Sequence, residues 1–375
     1  MHFTTLVTAE IPEIEENPLL DDCVKEEIEE LKKVCSEKNG LDRIMPRIFL
    51  EDLLAKRTPF GRAVVDAADE LLAPFSEQTE NPEYLEFFDM TEELQERYET
   101  ETADCFKTPD GRIVETGDPV IDYRFVIRDG KVYQRAAGPF HREKRTKKAR
   151  KLTAMPSYPV KKLYKSYPEY AESRGYFLDE ETKKYGYRCN PRAFYDWYRV
   201  GGRWPYVFLV KETVKDCTDG VHDLNDSMMH APEGYKWVCA ARKKDIEWQV
   251  MFEERKASEI KNYELLKKAF LEKKLPKQFW GSITEKGIES WDRILYRNGE
   301  TLDEYLVRYA LSGEMTYPDF AYGYLHEGEY FENSEFETTT DPNGFKVKTG
   351  WREEIANLID DLDADTVLIC VDCHI

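Results

Sequence analysis

Both ends of this 375-residue chain are short runs in which apolar and β-forming residues alternate. The first run covers residues 2–9 and the last covers residues 366–374, and each is typical of a buried strand. A buried strand needs hydrogen-bonding neighbours, because its backbone amides and carbonyls are removed from water. We therefore expect the two terminal strands to lie in one sheet, with the middle of the chain inserted between them.

Between these runs, helical patterns alternate with turn signals. Helical patterns predict helices over residues 18–38, 46–57, 60–73, 245–274, 301–312 and 351–362, and residues 91–101 predict a polar helix. Thr301 and Glu304 have the spacing of a capping box at the start of the helix 301–312. Turn residues predict hairpins over residues 120–136, 194–210 and 320–336. Interleaved helices and hairpins favour an α+β fold with mostly antiparallel sheet and helices packed on it, not a doubly wound parallel fold.

Composition and charge divide the chain into three expected regions. Residues 1–104 form an acidic helical region with the first strand, residues 105–242 a hairpin-rich region with a basic segment, and residues 243–375 a helix-rich region that ends in the last strand. Apolar residues make up 41% of the chain, which is enough for a core and argues against disorder.

Apolar runs are too short for a membrane-spanning helix. The longest, such as residues 206–210, are far shorter than the roughly 20 residues that such a helix needs. The N-terminal residues also lack the basic and apolar parts of a secretory signal. We expect a cytoplasmic protein with no membrane partner.

Eight cysteines are scattered along the chain, and we expect reduced thiols. Cys370, Cys373 and His374 match the C-x-x-C-H pattern of haem attachment, but that chemistry belongs to exported proteins. Cys217 with His222 and His230 fits no standard zinc spacing. We expect no metal and no cofactor.

Charge is unevenly distributed along the chain. The formal net charge is −20, yet residues 135–165 hold 11 basic residues and one acidic residue. The centre of this stretch contains His141, Arg142, Lys144, Arg145, Lys147 and Lys148. Such a cluster could contact the phosphates of a nucleic acid. We favour internal compensation or a solvated segment, because the net charge opposes approach to a polyanion. A third interpretation is that the acidic ends mimic a nucleic acid.

A Gly-Gly pair surrounded by aromatic and charged residues is the main candidate for a ligand site. Its residues are Asp196, Trp197, Tyr198, Gly201, Gly202, Arg203 and Trp204. Glycine permits positive φ and close approach of another group, aromatic rings can stack on a base, and arginine can bind phosphate. The alternative is a structural hairpin whose aromatic rings fill a core.

Asp372 and His374 are the candidates for acid–base catalysis. They lie two residues apart on the last strand, so their side chains point to the same face. The alternative is that they form hydrogen bonds with the start of the neighbouring strand, near His2.

Three segments resemble a family of uncharacterised proteins from bacteriophages and mobile elements of Gram-positive bacteria. Residues 190–204 (NPRAFYDWYRVGGRW) are similar to a signature NPxAxxDWYxxGGRW, residues 243–248 (KKDIEW) to a KDIxW element, and residues 365–375 to a chain end in DCHI. The opening strand and the Leu72–Phe75 stretch fit as well. The resemblance implies a phage setting in a bacterial host cell, but no activity.

These observations lead to two functional hypotheses. The first is a phage or mobile-element accessory protein that binds a host protein or a nucleotide-like ligand and counters a bacterial immune system. The second is an enzyme that acts on a nucleotide or nucleic acid through Asp372, His374 and Arg203. We expect that convergence of Asp372, His374, Arg203 and Trp204 in one pocket would favour ligand chemistry. Dispersal of these residues, with Arg203 and Trp204 packed in a core, would favour a binding scaffold.

Overall fold

A computed structural model of the protein describes most of the chain. The described residues are 2–14, 22–37, 46, 49–50, 53, 56, 58–117, 124–136, 142–204, 206–218, 231–277, 279–290, 293–318, 321–335, 338–340, 346–348 and 350–375.

Helices and short strands alternate along the described chain. The helices are α1 Asp22–Glu37, α2 Pro59–Leu72, α3 Thr91–Thr100, α4 Tyr167–Ser173, α5 Trp248–Glu272, α6 Leu302–Arg308 and α7 Trp351–Asp361. The strands are β1 His2–Ala9, β2 Glu86–Asp89, β3 Thr102–Lys107, β4 Ile113–Glu115, β5 Phe125–Arg128, β6 Lys131–Arg135, β7 Glu143–Lys144, β8 Thr153–Pro159, β9 Phe177–Leu178, β10 Tyr185–Cys189, β11 Trp197–Val200, β12 Phe208–Lys211, β13 Cys217–Thr218, β14 Tyr235–Val238, β15 Ala240–Arg242, β16 Ser282–Ile283, β17 Gly287–Ser290, β18 Arg293–Arg297, β19 Gly323–His326, β20 Glu329–Glu332, β21 Thr338–Thr340, β22 Lys346–Lys348 and β23 Val367–His374.

The predicted α+β class and the pairing of the two terminal strands are both confirmed. β1 runs antiparallel to β23 along its whole length, from His2 opposite His374 to Ala9 opposite Val367. The main sheet has the order β13-β15-β23-β1-β19-β20, and β11 also pairs with β23. β1 pairs in parallel with β19, so the sheet is mixed. The terminal strands lie at its centre, which explains their apolar sequences.

Helices cover this sheet and bury its apolar side chains. Every residue of β23 except His374 is buried. α2 contributes a buried stripe that includes Phe60, Val64 and Leu72, and α7 contributes Trp351 and Ile355 to the same core. Because the stripe of α2 recurs at spacings of three and four, its sequence alone predicts which face is buried.

The chain forms two compact units, one of which is discontinuous in sequence. The first consists of Met1–Gln78 and Arg192–Ile375, and the second is Thr79–Pro191. These boundaries differ from the three regions expected from composition. The reason is the pairing of β1 with β23, which joins both ends of the chain in one unit and leaves the middle as an insertion.

A second apolar core within the first unit lies between α5, α6 and the small sheet β16-β17-β18. Tyr305 of α6 is fully buried there, and its hydroxyl donates to Glu259 of α5 at 2.7 Å. The start of α6 has the predicted capping box. The Glu304 amide donates to Thr301 Oγ1, and the Thr301 amide donates to Glu304 Oε2.

The described part of the second unit contains three small antiparallel sheets and two helices. The sheets have the orders β2-β10-β9, β4-β3-β8 and β5-β6-β7. The predicted hairpin at Asp129-Gly130 is confirmed as β5 and β6. The predicted helix at residues 91–101 is confirmed as α3.

The predicted hairpin over residues 194–210 is wrong. β11 pairs with β23, and β12 pairs with β14. The Gly201-Gly202 pair therefore does not join two neighbouring strands. It marks the point where the chain leaves the main sheet, and the Gly201 amide donates to the carbonyl of Cys370 at 2.8 Å.

Other sequence predictions agree with the structure to within a few residues. The predicted hairpin after residue 320 is confirmed as β19 and β20, and the predicted long helix is confirmed as α5. Most of the predicted helix 46–57 lies outside the described residues. None of the helices in the described part of the chain has the length and apolar content that crossing a membrane would require.

Candidate functional site

The Gly-Gly segment and the C-terminal segment, which are 170 residues apart in sequence, are neighbours in the main sheet. Strand β11 lies beside the end of β23, with Trp197 opposite His374 and Arg199 opposite Asp372. β1 flanks β23 on its other side, so His2 is also opposite His374. These three strand ends bring together the side chains of His2, Asp196, Trp197, Asp372 and His374, which we call the His–Asp cluster.

Asp372 is the buried centre of this cluster, with 2% of its surface exposed. One carboxylate oxygen, Oδ1, lies 2.8 Å from Nδ1 of His2. The other, Oδ2, accepts a hydrogen bond from the backbone amide of Arg203 at 3.0 Å. The prediction that Asp372 forms a hydrogen bond with the start of the neighbouring strand near His2 is confirmed.

Glycine is required at position 202, because the backbone there lies close to the side chain of Asp372. A Cβ atom at this position would lie 2.3 Å from Cβ of Asp372, and the φ of Gly202 is +49°. Both the positive φ and the lack of space exclude a larger residue without rearrangement. The close approach expected from the Gly-Gly pair is therefore present, but the approaching group is Asp372 of the same chain.

His374 forms the second imidazole–carboxylate pair, with Nδ1 2.9 Å from Oδ1 of Asp196. The amide of Trp197 donates to the same oxygen at 2.8 Å. Burial favours the neutral form of Asp196, but the hydrogen bonds from His374 and Trp197 outweigh it and lower the pKa of Asp196. An ionised carboxylate only accepts, so Nδ1 of His374 donates in this pair.

The indole of Trp197 contacts the two histidines of the cluster, and 37% of the residue's surface stays exposed. It stacks on His374 with ring centroids 5.0 Å apart, and the edge-on ring of His2 lies 5.1 Å away. The guanidinium of Arg199 lies over the indole at 5.3 Å. Trp197 therefore supports the cluster, because its indole already stacks on His374 and lies under the guanidinium of Arg199.

Tyr198 does not belong to the cluster, because its side chain points to the opposite face of the sheet. Its hydroxyl donates to Asp69 of α2. Burial, followed by the hydrogen bond to Asp69, raises the pKa of Tyr198 far above its usual value. The side chain of Tyr198 therefore packs between the main sheet and α2.

Arg203 and Trp204 are among the residues that line a cavity of about 610 Å³. The cavity lies beside the hairpin-like pair β12–β14 and the first half of α5, and its walls include Tyr206, Trp237 and Met251. Neither Asp372 nor His374 is among the lining residues. The candidate residues thus divide between two adjacent places, the His–Asp cluster and the cavity, and Arg203 belongs to both because its amide donates to Asp372.

Charged groups at this cavity are only partly paired. Arg255 donates to the carbonyl of Tyr309 at 2.8 Å, and Glu259 accepts from Tyr305. Arg203 and Lys261 are exposed and form no ion pair with any residue that the structure describes.

The sequence analysis did not predict that Tyr206, Trp237, Arg255 and Lys261 line the cavity. No local pattern indicates which helix faces the Gly-Gly segment.

The basic segment lies in the second unit. His141 is outside the described residues. Arg142, Lys144, Arg145, Lys147 and Lys148 are exposed, and none of them forms an ion pair within the described chain. Of the two favoured interpretations, the described residues fit a solvated segment and show no compensation by contact with acidic side chains.

The KDIxW element has a structural role. The Lys243 ammonium donates to the carbonyl of Asp360 at 2.9 Å, at the C-terminal end of α7. A cation at this end of a helix is stabilising, because the last carbonyls lack partners. Trp248 begins α5 and packs against the main core.

The C-terminal cysteines are buried on opposite faces of β23. Cys370 and Cys373 are both fully buried, which does not suit attachment of both to one haem. Cys217 is buried, whereas His222 and His230 lie outside the described residues. Within the described ranges, no group of three or more His, Cys, Asp or Glu side chains is placed to bind a metal ion.

Comparison of the chain with protein-family models, with curated proteins and with solved structures finds no match. The resemblance to a phage family therefore stays a prediction. The case for a function depends on the cavity and the His–Asp cluster themselves.

Proposed function

We propose that the protein acts by binding, and that the cavity beside α5 holds a nucleotide-like ligand. The observation that supports this proposal is the combination of aromatic walls with two exposed cations that have no ion-pair partner in the described chain, Arg203 and Lys261. The volume of about 610 Å³ lies within the usual range of small-molecule sites, about 300–1,000 Å³. Trp204 and Trp237 offer surfaces for an aromatic base, and the cations offer partners for its phosphates.

A binding assay on the full-length protein tests this proposal. Isothermal titration calorimetry with mononucleotides, dinucleotides and cyclic dinucleotides should identify a ligand in the micromolar range or tighter. We expect Trp204→Ala and Arg203→Ala each to weaken its binding at least about tenfold, which corresponds to about 1.4 kcal/mol.

Trp280→Ala is the matched control, because Trp280 is 80% exposed and does not line the cavity. Its ligand affinity should equal that of the wild type. Absence of binding across the nucleotide panel, or equal losses in the Trp204 and Trp280 variants, would reject the proposal.

The resemblance to phage proteins supports a setting for this activity. In that setting the protein is an accessory factor in the cytoplasm of a bacterial host, where it sequesters a nucleotide-like signal and so counters an immune system. Expression in host strains with defined defence systems, followed by phage plaque counts, tests this role. Wild type should restore plaques where Trp204→Ala does not. Restoration without any nucleotide binding would favour a host protein as the partner.

An enzyme acting on a nucleotide or nucleic acid is the second candidate, and the His–Asp cluster favours it. The pair with Asp196 uses only Nδ1 of His374 and leaves Nε2 free for a ligand, and the ring is partly exposed at 31% of the side-chain surface. Product analysis after incubation with the bound nucleotide distinguishes the two candidates. Turnover that His374→Ala abolishes without loss of binding would establish the enzyme. An unchanged ligand would support binding alone.

A further inference from the structure

Seven exposed cations of the segment 142–151 have no ion-pair partner in the described chain. They are Arg142, Lys144, Arg145, Lys147, Lys148, Arg150 and Lys151. Nearby ion pairs use other cations: Arg128 and Arg135 both pair with Glu143. The seven charges therefore produce a local positive potential that no described acidic side chain cancels by contact.

The backbone that carries these cations is anchored to an apolar core. Ala149 is fully buried together with Phe106, Phe125 and Val132. The Ala149 amide donates to Oγ1 of Thr146 at 3.2 Å, which in turn donates to Oε1 of Gln134 at 3.0 Å. Because this backbone is held in place, binding a partner would order only the side chains and would lose less entropy than binding by a disordered tail.

The net charge of the chain does not oppose a polyanion at this place. Residues 79–191, the second unit, hold 21 acidic and 21 basic residues, so the formal charge of −20 belongs entirely to the other unit. Charges separated by more than about 10 Å are largely screened at 0.1 M salt. The electrostatic objection raised from the whole sequence therefore does not apply to this unit by itself.

We propose that the basic segment 142–151 binds the phosphate backbone of duplex DNA without reading its sequence. Duplex DNA carries one negative charge per about 1.7 Å of helix axis, which suits closely spaced cations. Single-strand binders combine cations with aromatic side chains that stack on bases, and residues 142–151 contain no aromatic residue. This interaction is separate from ligand binding in the cavity beside α5.

Fluorescence anisotropy with a labelled 20-base-pair DNA duplex, over a range of salt concentrations, tests the proposal. If four cations each contact a phosphate, the slope of log K against log salt is about −3.6. The wild-type affinity should then fall about a hundredfold between 50 and 200 mM salt. In the variant Lys144→Ala/Arg145→Ala/Lys147→Ala/Lys148→Ala, the slope should become less steep by about 3 to 4.

The matched control removes four exposed lysines from the first unit: Lys267→Ala/Lys268→Ala/Lys274→Ala/Lys277→Ala. It changes the net charge by the same amount, so its slope and affinity should stay within about twofold of the wild type if the segment itself makes the contacts. Circular dichroism should show both variants folded, because all eight side chains are exposed.

Three results would overturn the proposal. The first is no DNA binding by the wild type at 50 mM salt. The second is an equal loss in the two quadruple variants. The third is tighter binding to a single-stranded oligonucleotide, or to vesicles that contain phosphatidylserine, than to the duplex.

Discussion

The imidazole of His2 and the carboxylate of Asp372 lie 2.8 Å apart, although 370 residues separate them in the chain. The same carboxylate accepts the amide of Arg203. One buried acidic side chain thus joins β1, β23 and the segment that follows β11. Since β1 and β23 are central in the main sheet, this contact ties both chain ends to the Gly-Gly segment.

Replacing Asp372 by alanine should destabilise the first unit. The change removes the acceptor of two groups, the His2 ring and the Arg203 amide, and an unpaired buried donor costs about 1–3 kcal/mol. Urea denaturation followed by tryptophan fluorescence measures the free energy of unfolding. Asp361→Ala, at an exposed position of α7, is the control and should change it by less than about 0.5 kcal/mol. Equal effects of the two substitutions would contradict the central role of Asp372.

Gly202→Ala should be more destabilising than Gly234→Ala. Both glycines have positive φ, so both substitutions impose backbone strain of about 1 kcal/mol or more. Only at Gly202 would the new methyl group meet Asp372, because nothing lies within 4 Å of the corresponding position at Gly234. We expect the difference between the two to exceed about 1 kcal/mol in thermal or urea denaturation. Similar losses of stability in the two variants would show that the Asp372 side chain moves aside at little cost.

The pair formed by Asp196 and His374 should make stability dependent on acidic pH. The pKa of Asp196 is lowered in the fold. A carboxylate of this kind stabilises the folded state fully above its unfolded pKa, and the contribution is lost as pH falls through the folded pKa. The stability difference between wild type and Asp196→Asn should therefore shrink as the pH falls from about 6 to about 3. Melting temperatures over this range provide the test, and a difference independent of pH would contradict it.

The buried cysteines of the main sheet should be unreactive in the native protein. Burial raises the pKa of Cys239 and of Cys373 to about 12, and it raises that of Cys370 as well. The thiolate is the reactive form, so alkylation at pH 8 should be slow at all three positions until urea unfolds the chain. Half-buried Cys189 is the internal comparison and should react sooner. Peptide mapping after iodoacetamide treatment measures each rate, and rapid native labelling of Cys370 or Cys373 would contradict the packing.

The sequence alone predicted the elements whose signals are local. Alternation over residues 2–9 and 366–374 indicated two buried strands, and the spacing of Thr301 and Glu304 indicated the start of a helix. These signals need only neighbouring residues, because side-chain direction and capping depend on short-range geometry. The pairing of the terminal strands followed from their shared need for buried partners.

Only the tertiary structure decided which strand β11 pairs with, and therefore where the site is. Residues 194–210 have the sequence of a hairpin, yet β11 pairs with the C-terminal strand and the chain continues towards α5. Local sequence cannot distinguish these arrangements, because a strand edge offers the same amides and carbonyls to any partner. The choice depends on packing between distant segments, with Gly202 leaving the space that the Asp372 side chain occupies.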